Sequence, residues 1–594
     1  MSIAVTTRSY DNTRAGANTQ ETILTPAAIR TRGLKHLFSL ALPGDARGCE
    51  AQPLIVPGVR LADGTTHDVV YVATMANQVF AFDANDGARL WMVQLGTPIN
   101  NNRNIDAYLI NDHWGILSTP VIDTQGATLY ACVWTSPDGS PEKGQHYLHA
   151  IRLRDGSDAH PPLNLEGVTY DPGHGRPVQQ FRSAERKQRA ALLLVNGTVF
   201  VAFGTIAESA STARGWVIAV DTARFQIRAT WTSTSRGSGG GIWHSGGGPA
   251  ADAEGNIYVV TGNGGFDAIT DFAESIVKLR YTPPHPNSAG SLTVVDWWTP
   301  WTDNGRTGGN PEGERARQPL EKALPTNFRK DVHLARQVGA QAMNMNESWG
   351  DQDIGAAGPV LAPTIGAVLT SSKDGILYTA NLQNLGRTQP ADLDPADAAR
   401  NYSKLKAPPI FYTFYPGVQP SPAPANVTDL NFWGANRTHH LHGTLVLWDS
   451  AAHGLTHFCW GENGNLRAFA LARSGVSTYL ACSAEMASAE SPVPLGGMPG
   501  GMISLSADGD RDGVVWASIP YTDANMELSP GRFLAYDAAK FGKYSDGSGS
   551  IPPLWDSQEW EWQFTHNKFN RPVVWNGRVF LPTYDGDVWV IGLG

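Results

Sequence analysis

Cysteine is scarce in this chain of 594 residues: Cys49, Cys132, Cys459 and Cys482 lie far apart and form neither CxxC nor CxxCH. That spacing removes zinc ribbons and covalently attached haem, and it predicts buried, reduced thiols in strands. Charge is also sparse, at 17 % of residues with a formal net charge of -10, and no stripe of Lys and Arg runs against that balance. A phosphate backbone is therefore repelled, and nucleic acid is excluded as a partner. No apolar run approaches the roughly 18 residues needed to cross a bilayer, so no membrane span is expected. The opening MSIAVTTRSYDNTRAG has neither a basic leader nor an apolar core. As written, the chain reads as cytoplasmic, with a secreted or periplasmic location left open if a leader was lost. The runs GSGGG (237–241) and GGMPGG (496–501) lack the GK[ST] ending and the following helix of a phosphate loop.

What is abundant is Gly (63), Pro (39) and Trp (19), the composition of a turn-rich β protein. Repetition is visible directly. Residues 68–96, DVVYVATMANQVFAFDANDGARLWMVQLG, alternate as three short strands separated by tight turns, and AQPLIVP (51–57) supplies a fourth. Comparable units recur over 118–156, 192–231, 246–281, 357–386, 443–475, 500–539 and 571–594. Eight units of four antiparallel strands predict an all-β, eight-bladed β-propeller, one domain over 1–594. The last unit stops before its outer strand, while LKHLFSLAL (34–42) stands alone ahead of the first. That strand is expected to complete the C-terminal blade and close the ring.

The segments VFAFDANDGARLW and GNLRAFALARSG resemble the pyrroloquinoline-quinone-type repeat of quinoprotein alcohol dehydrogenase-like propellers. More narrowly, YDNTRAGANTQETILTP, GIWHSGGGPAADAEGNIYVVTGNGGFD, HHLHGTLVLW and GGMPGGMISLSADG resemble a bacterial and fungal group of such proteins whose function is mostly undescribed. The resemblance implies the fold across nearly the whole chain. It also implies a quinone and calcium in the axial funnel beside a catalytic aspartate, over a tryptophan floor, with Asp353 and Trp243 as the nearest matches. The vicinal cysteine pair, haem motif and export signal of many such enzymes are missing here, so quinone is the less favoured cofactor.

Long links at 97–117, 157–188, 296–356 and 387–442 fall at the same point of the repeat and are expected to wall a funnel on one face. Residues just before each inner strand should point into it: Glu50, His113, Trp114, Trp243, His244, Glu347, Trp349, Asp351, Asp353, His439, His440, His442, His566, Asn567 and Arg571. Histidines and carboxylates gathered from several blades suit acid/base chemistry, or a divalent metal such as calcium or zinc. His244, His440, Asp353, Arg571 and His113 are the catalytic candidates. Trp243, Trp114, Trp349, Glu50, His566 and Asn567 are the substrate-binding ones, and His440, His442, Asp351 and Asp353 the metal ligands. In an extended strand His440 and His442 share a face. The expectation is an enzyme for elimination, hydrolysis or cyclisation of a small polar or sugar-like molecule. The alternatives are a quinone-dependent alcohol or sugar dehydrogenase and a non-catalytic binding or scaffold propeller.

Overall fold

Strand alternation builds the ring. In the third blade Val199, Val201 and Phe203 face the second, packing with Tyr130, Cys132 and Leu148, while Phe200 and Ala202 face the fourth, with Ile257 and Val259. Period-two side-chain placement thus gives every blade two apolar faces, each buried against a neighbour. Such shared cores recur around the circle as far as the contact of the eighth blade with the first, where Val588 and Val590 meet Val70 and Phe80.

The structure, a computed structural model, describes residues 3–594 except 209, 267, 287, 300–352, 374–376, 387–411, 415–439, 474, 476, 492–495, 546 and 561. Eight antiparallel blades follow one another, their inner strands at Leu54–Arg60, Val121–Asp123, Leu193–Val195, Ala250–Ala251, Val360–Ala362, Val446–Ser450, Met502–Asp508 and Val573–Trp575. The N-terminal strand Leu34–Ala41 pairs antiparallel with Asp587–Leu593 and becomes the outer strand of the eighth blade. Ring closure by the two ends of the chain is therefore as expected.

The link at 157–188 is not simply a lid. It contains Leu163–Asn164, the outer strand of the second blade, and a short ribbon (Thr169–Tyr170 with Gln179–Gln180) beside the third blade's outer strand. From the 97–117 link, Ile105, Asp106, Ala107, Tyr108 and Trp114 line a cavity at the open face. Most of 296–356 and 387–442 lies outside the described residues, with Glu347, Trp349, Asp351, Trp433 and His439 among them.

Residues 3–20 form a strap that makes one circuit of the axis. Val5 exchanges both backbone hydrogen bonds with Ile55 of the first blade, and Thr6 O accepts from Ile122 N–H of the second. Asn12 Nδ2 donates to Leu194 O of the third, and Asn12 O accepts from Ala251 N–H of the fourth. Thr13, Ala15 and Gly16 carbonyls then accept from Leu361, Leu447 and Leu505 N–H, one blade each. At the eighth, Tyr10 Oη accepts from Val574 N–H and Asn18 Nδ2 donates to Val574 O. The YDNTRAGANTQ motif is thereby a structural key, a role its sequence alone did not disclose.

All four cysteines are buried and none forms a disulfide. No described helix is long and apolar enough to cross a membrane.

Burial pushes His146, His457 and His566 down to about 3 and His244 down to about 4. The folded state thus refuses protons that the unfolded chain accepts near pH 6.5. Stability present above that pH is lost as pH falls toward 4, by about 1.4 kcal/mol per pH unit for each histidine. His146 stacks on Trp134 at 5.2 Å and its ring nitrogens have no hydrogen-bond partner. His146→Phe should flatten the slope of unfolding free energy against pH between 6.5 and 4 by about that amount. Urea titrations at pH 7, 6 and 5 check this; an unchanged slope contradicts it.

Candidate functional site

Two sets of segments reach the open face of the ring. One comprises the entries to inner strands. The other comprises the turns joining second to third strands, which an antiparallel blade must place at the same end. Together they enclose an axial cavity of about 290 Å³.

Its walls are cationic and aromatic. Lys187, Arg189, Lys373 and Lys568 line it together with Trp114, Trp243, Phe569 and Tyr108; Asp106 and Glu208 are the carboxylates on its surface. Lys187 Nζ lies 4.6 Å from the Trp114 ring centre, and Arg189 packs on Phe569 at 4.9 Å. Lys373 Nζ sits 5.1 Å over Trp243. Burial first, then repulsion from Arg189 and Lys568, brings Lys187 down to about 8. Lys568 is lowered as well, chiefly by burial.

The buried carboxylates behind this wall each hold a cation. Glu50 contacts Arg189, Tyr584 and Asn111. Burial alone would raise its carboxyl, but Arg189 and Lys568 outweigh that and hold it below the ordinary value. Asp353 Oδ2 accepts from Trp243 Nε1 at 2.7 Å and lies 3.2 Å from Lys373 Nζ.

Next to Trp243 lies a second group. His440, His442 and Glu462 bring potential ligand atoms within 4.8 Å of one another. Glu462 Oε1 is 3.1 Å from His442 Nε2, and Oε2 is 3.5 Å from His440 Nδ1. His442 and Glu462 are buried, whereas His440 is 17 % exposed. The His442 ring lies 5.7 Å from Trp243 and 6.0 Å from Phe569, so the triad stands directly behind two cavity walls. Leu441 N–H donates to Ser372 O, which joins the strand carrying His440 to the turn carrying Lys373. Two histidines and a carboxylate are a set for zinc or another first-row divalent ion rather than calcium, which prefers all-oxygen ligands.

The sequence candidates separate accordingly. Trp243 and Trp114 line the cavity; Asp353 and Glu50 stand behind it; His440 and His442 are together, but with Glu462 in place of Asp353 as the carboxylate. Four candidates are drawn into the wall instead. His244 is fully buried with Nε2 on the backbone of Val260. His566 is buried with Nδ1 at Ser518 Oγ. Asn567 Nδ2 donates to the carbonyls of Cys49 and Thr583. Arg571 is buried with Nη2 on Thr444 O. His113 is half-buried at the rim, where its hydrogen bond to Asp45, 2.8 Å long, raises its pKa.

The residues nearest to those expected of a calcium–quinone pair already have partners among themselves. Glu50 and Asp353 are already neutralised by Arg189 and Lys373, and Lys373 occupies the Trp243 face that a flat cofactor would cover.

Sequence reasoning missed Lys187, Arg189, Lys373, Lys568 and Glu462. Lys187 and Arg189 lie in ERKQRA, immediately before the third inner strand, where the rule used for the other blades would have found them. Lys373 and Glu462 lie in second-to-third strand turns, SSKDG and WGENG.

No protein-family model matches the sequence, and no curated protein matches it. Among solved structures the chain is similar to a quinohemoprotein alcohol dehydrogenase from Comamonas testosteroni, at 14 % identity and a TM-score of 0.49, over 99 % of this chain and 80 % of that one. It is similar also to a europium-containing methanol dehydrogenase, at 11 % identity and 0.45, over 99 % and 98 %. BamB from Moraxella catarrhalis aligns at 13 % identity and 0.41, over 94 % and 98 %. The eight-bladed architecture rests on the strand pairings of the present chain.

Because Lys187 titrates near 8, the cavity loses one positive charge as pH rises through that value. Affinity for a flat anion such as 2-naphthoate should fall across pH 7 to 9 in calorimetric titration. Lys187→Met should weaken binding about tenfold at pH 7, or ~1.4 kcal/mol, and remove that pH dependence; a variant that keeps it contradicts the assignment.

Proposed function

We propose that this propeller is an enzyme acting on a small organic anion held in the axial cavity, with His440, His442 and Glu462 as its reaction centre. The observation that carries the reading is the adjacency, across Trp243, of a four-cation, aromatic-walled cavity and a His–His–Glu triad. Lys187, Arg189, Lys373 and Lys568 bind the anionic group in a poorly hydrated site, where each charge acts more strongly than in water. Trp114, Trp243 and Phe569 pack against a flat or apolar body. His440, the exposed member of the triad, moves a proton, while Glu462 orients both imidazoles. Should a divalent ion occupy the same three residues, His440 would serve as its ligand instead of moving the proton, and the ion would supply Lewis-acid polarisation of a substrate oxygen. Hydrolysis or elimination is the matching reaction class, because both need proton transfer and charge stabilisation without a redox cofactor. The partner is thus a small molecule, with neither nucleic acid nor membrane involved.

Elemental analysis of protein purified without chelator should find about one zinc or similar ion per chain, and His442→Ala should lose it. Screening aryl esters, lactones and hydroxy acids should reveal turnover that His440→Ala lowers by about a hundredfold, within the range for a general acid or base. His440→Ala should leave naphthoate affinity within a factor of two. Turnover untouched in both variants removes the reading, and dye reduction with alcohols on adding the quinone and calcium would favour a dehydrogenase instead.

A further inference from the structure

Three arginines are buried on the axis where the strap meets the ring: Arg8 and Arg14 from the strap, and Arg571 just before the eighth inner strand. Arg14 shows what satisfaction looks like there. Its guanidinium donates to Pro249 O, Thr7 Oγ1, Arg8 O and Leu192 O, at 2.6–3.0 Å. Arg8 and Arg571 are different. Each makes a single hydrogen bond, from Nη2, to Phe569 O at 2.7 Å and to Thr444 O at 3.1 Å respectively. The Nε and Nη1 donors of both are buried without a partner. The hydroxyl of Ser9, beside Arg8, is likewise buried and unpartnered.

Asp11 acts electrostatically on Arg14, but among the described residues no carboxylate forms an ion pair with Arg8 or Arg571. Burial, then the charges of Arg571 and Arg14, lowers Arg8, and burial brings Arg571 down to about 10. Desolvated like charges without counter-charge are among the costliest arrangements a protein interior can hold. Guanidinium groups bind oxyanions through several N–H donors at once, so the missing component has a definite chemistry. Glycine backbone flanks both groups: a Cβ on Gly16 would stand 2.5 Å from Arg571 Nη1, and one on Gly246 3.7 Å from Arg8 Nη1.

We infer that a small inorganic anion binds on the axis to the unpaired donors of Arg8 and Arg571 and locks the strap to the ring. It is a structural ligand, separate from the axial cavity, since neither arginine lines that cavity. Its binding couples the first twenty residues to the last blade, because Arg8 and Arg571 are 563 positions apart in the chain.

The test uses the full chain exchanged into sodium gluconate, then titrated with sodium chloride, sulfate or phosphate at constant ionic strength. The thermal midpoint should rise saturably with at least one of them, and trypsin cleavage within residues 3–20 should slow in parallel. Denaturing protein prepared in the preferred anion and washed into gluconate should release about one anion per chain by ion chromatography. Arg8→Met and Arg571→Met should each abolish the saturable rise, while Lys187→Met should retain it. Identical midpoints in all four salts, or fewer than one anion released per about ten chains, would overturn the inference. So would a rise that Lys187→Met removes and Arg8→Met keeps, which would place the anion in the axial cavity. Should either arginine variant fail to fold, the release measurement on the unaltered chain decides the matter.

Discussion

Where eight inner strands converge on an axis, each presents an edge whose backbone N–H groups face a space too narrow for ordinary solvation, and those groups must be paired. The strap at residues 3–20 meets this requirement at seven of the eight blades. Its carbonyls at Val5, Thr6, Asn12, Thr13, Ala15 and Gly16 accept from the inner strands of the first, second and fourth to seventh blades, and Tyr10 Oη serves the eighth. One continuous segment thus replaces what would otherwise be many separate waters or side chains. The carbonyl oxygen of Phe569, a cavity wall, accepts from Arg8 Nη2 of the strap, so the strap also supports the site from below.

Charge is segregated along the same axis. The chain as a whole is acidic, at -10, yet Lys187, Arg189, Lys373 and Lys568 crowd the cavity and Arg8, Arg14 and Arg571 the space at the strap. A positive centre inside an acidic body, walled by aromatic rings, produces a field focused on the axis and favours anions there over anions anywhere else on the surface. The lowered Lys187 is the measure of that crowding: burial and like-charged neighbours together bring it to about 8. Glu50 and Asp353 moderate the repulsion without cancelling it, since each compensates one cation from outside the cavity surface.

The ring and its closure were legible because they follow from local alternation and from counting strands, both of which a sequence displays. Trp243, Trp114, His440 and His442 were legible because entries to inner strands must reach one face. The same rule could not say how far each side chain would be drawn into the wall. His244 and Arg571 turn into the packed interior, where glycine-rich backbone approaches closely, and no periodicity distinguishes that orientation from one aimed at the funnel. Glu462 and Lys373 escaped for a topological reason: an antiparallel blade returns to the site face a second time, at the turn after its second strand. Those returns also bring Ile206, Glu208 and Asn525 to the cavity, and in the sequence they look like ordinary surface hairpins.

Trp243 ties the two halves of the site together. Its indole N–H is committed to Asp353, which is in turn committed to Lys373, and its ring separates that pair from His442. An anion that drew Lys373 into the cavity would leave Asp353 with one hydrogen bond fewer and uncover the Trp243 face on which the lysine rests. The indole is held at one edge by a carboxylate and bounded by Phe569 at 6.2 Å. Trp243 thus contacts both Lys373 of the cavity wall and His442 of the His–His–Glu group. Packing alone sets the cation wall and the His–His–Glu group against the same indole.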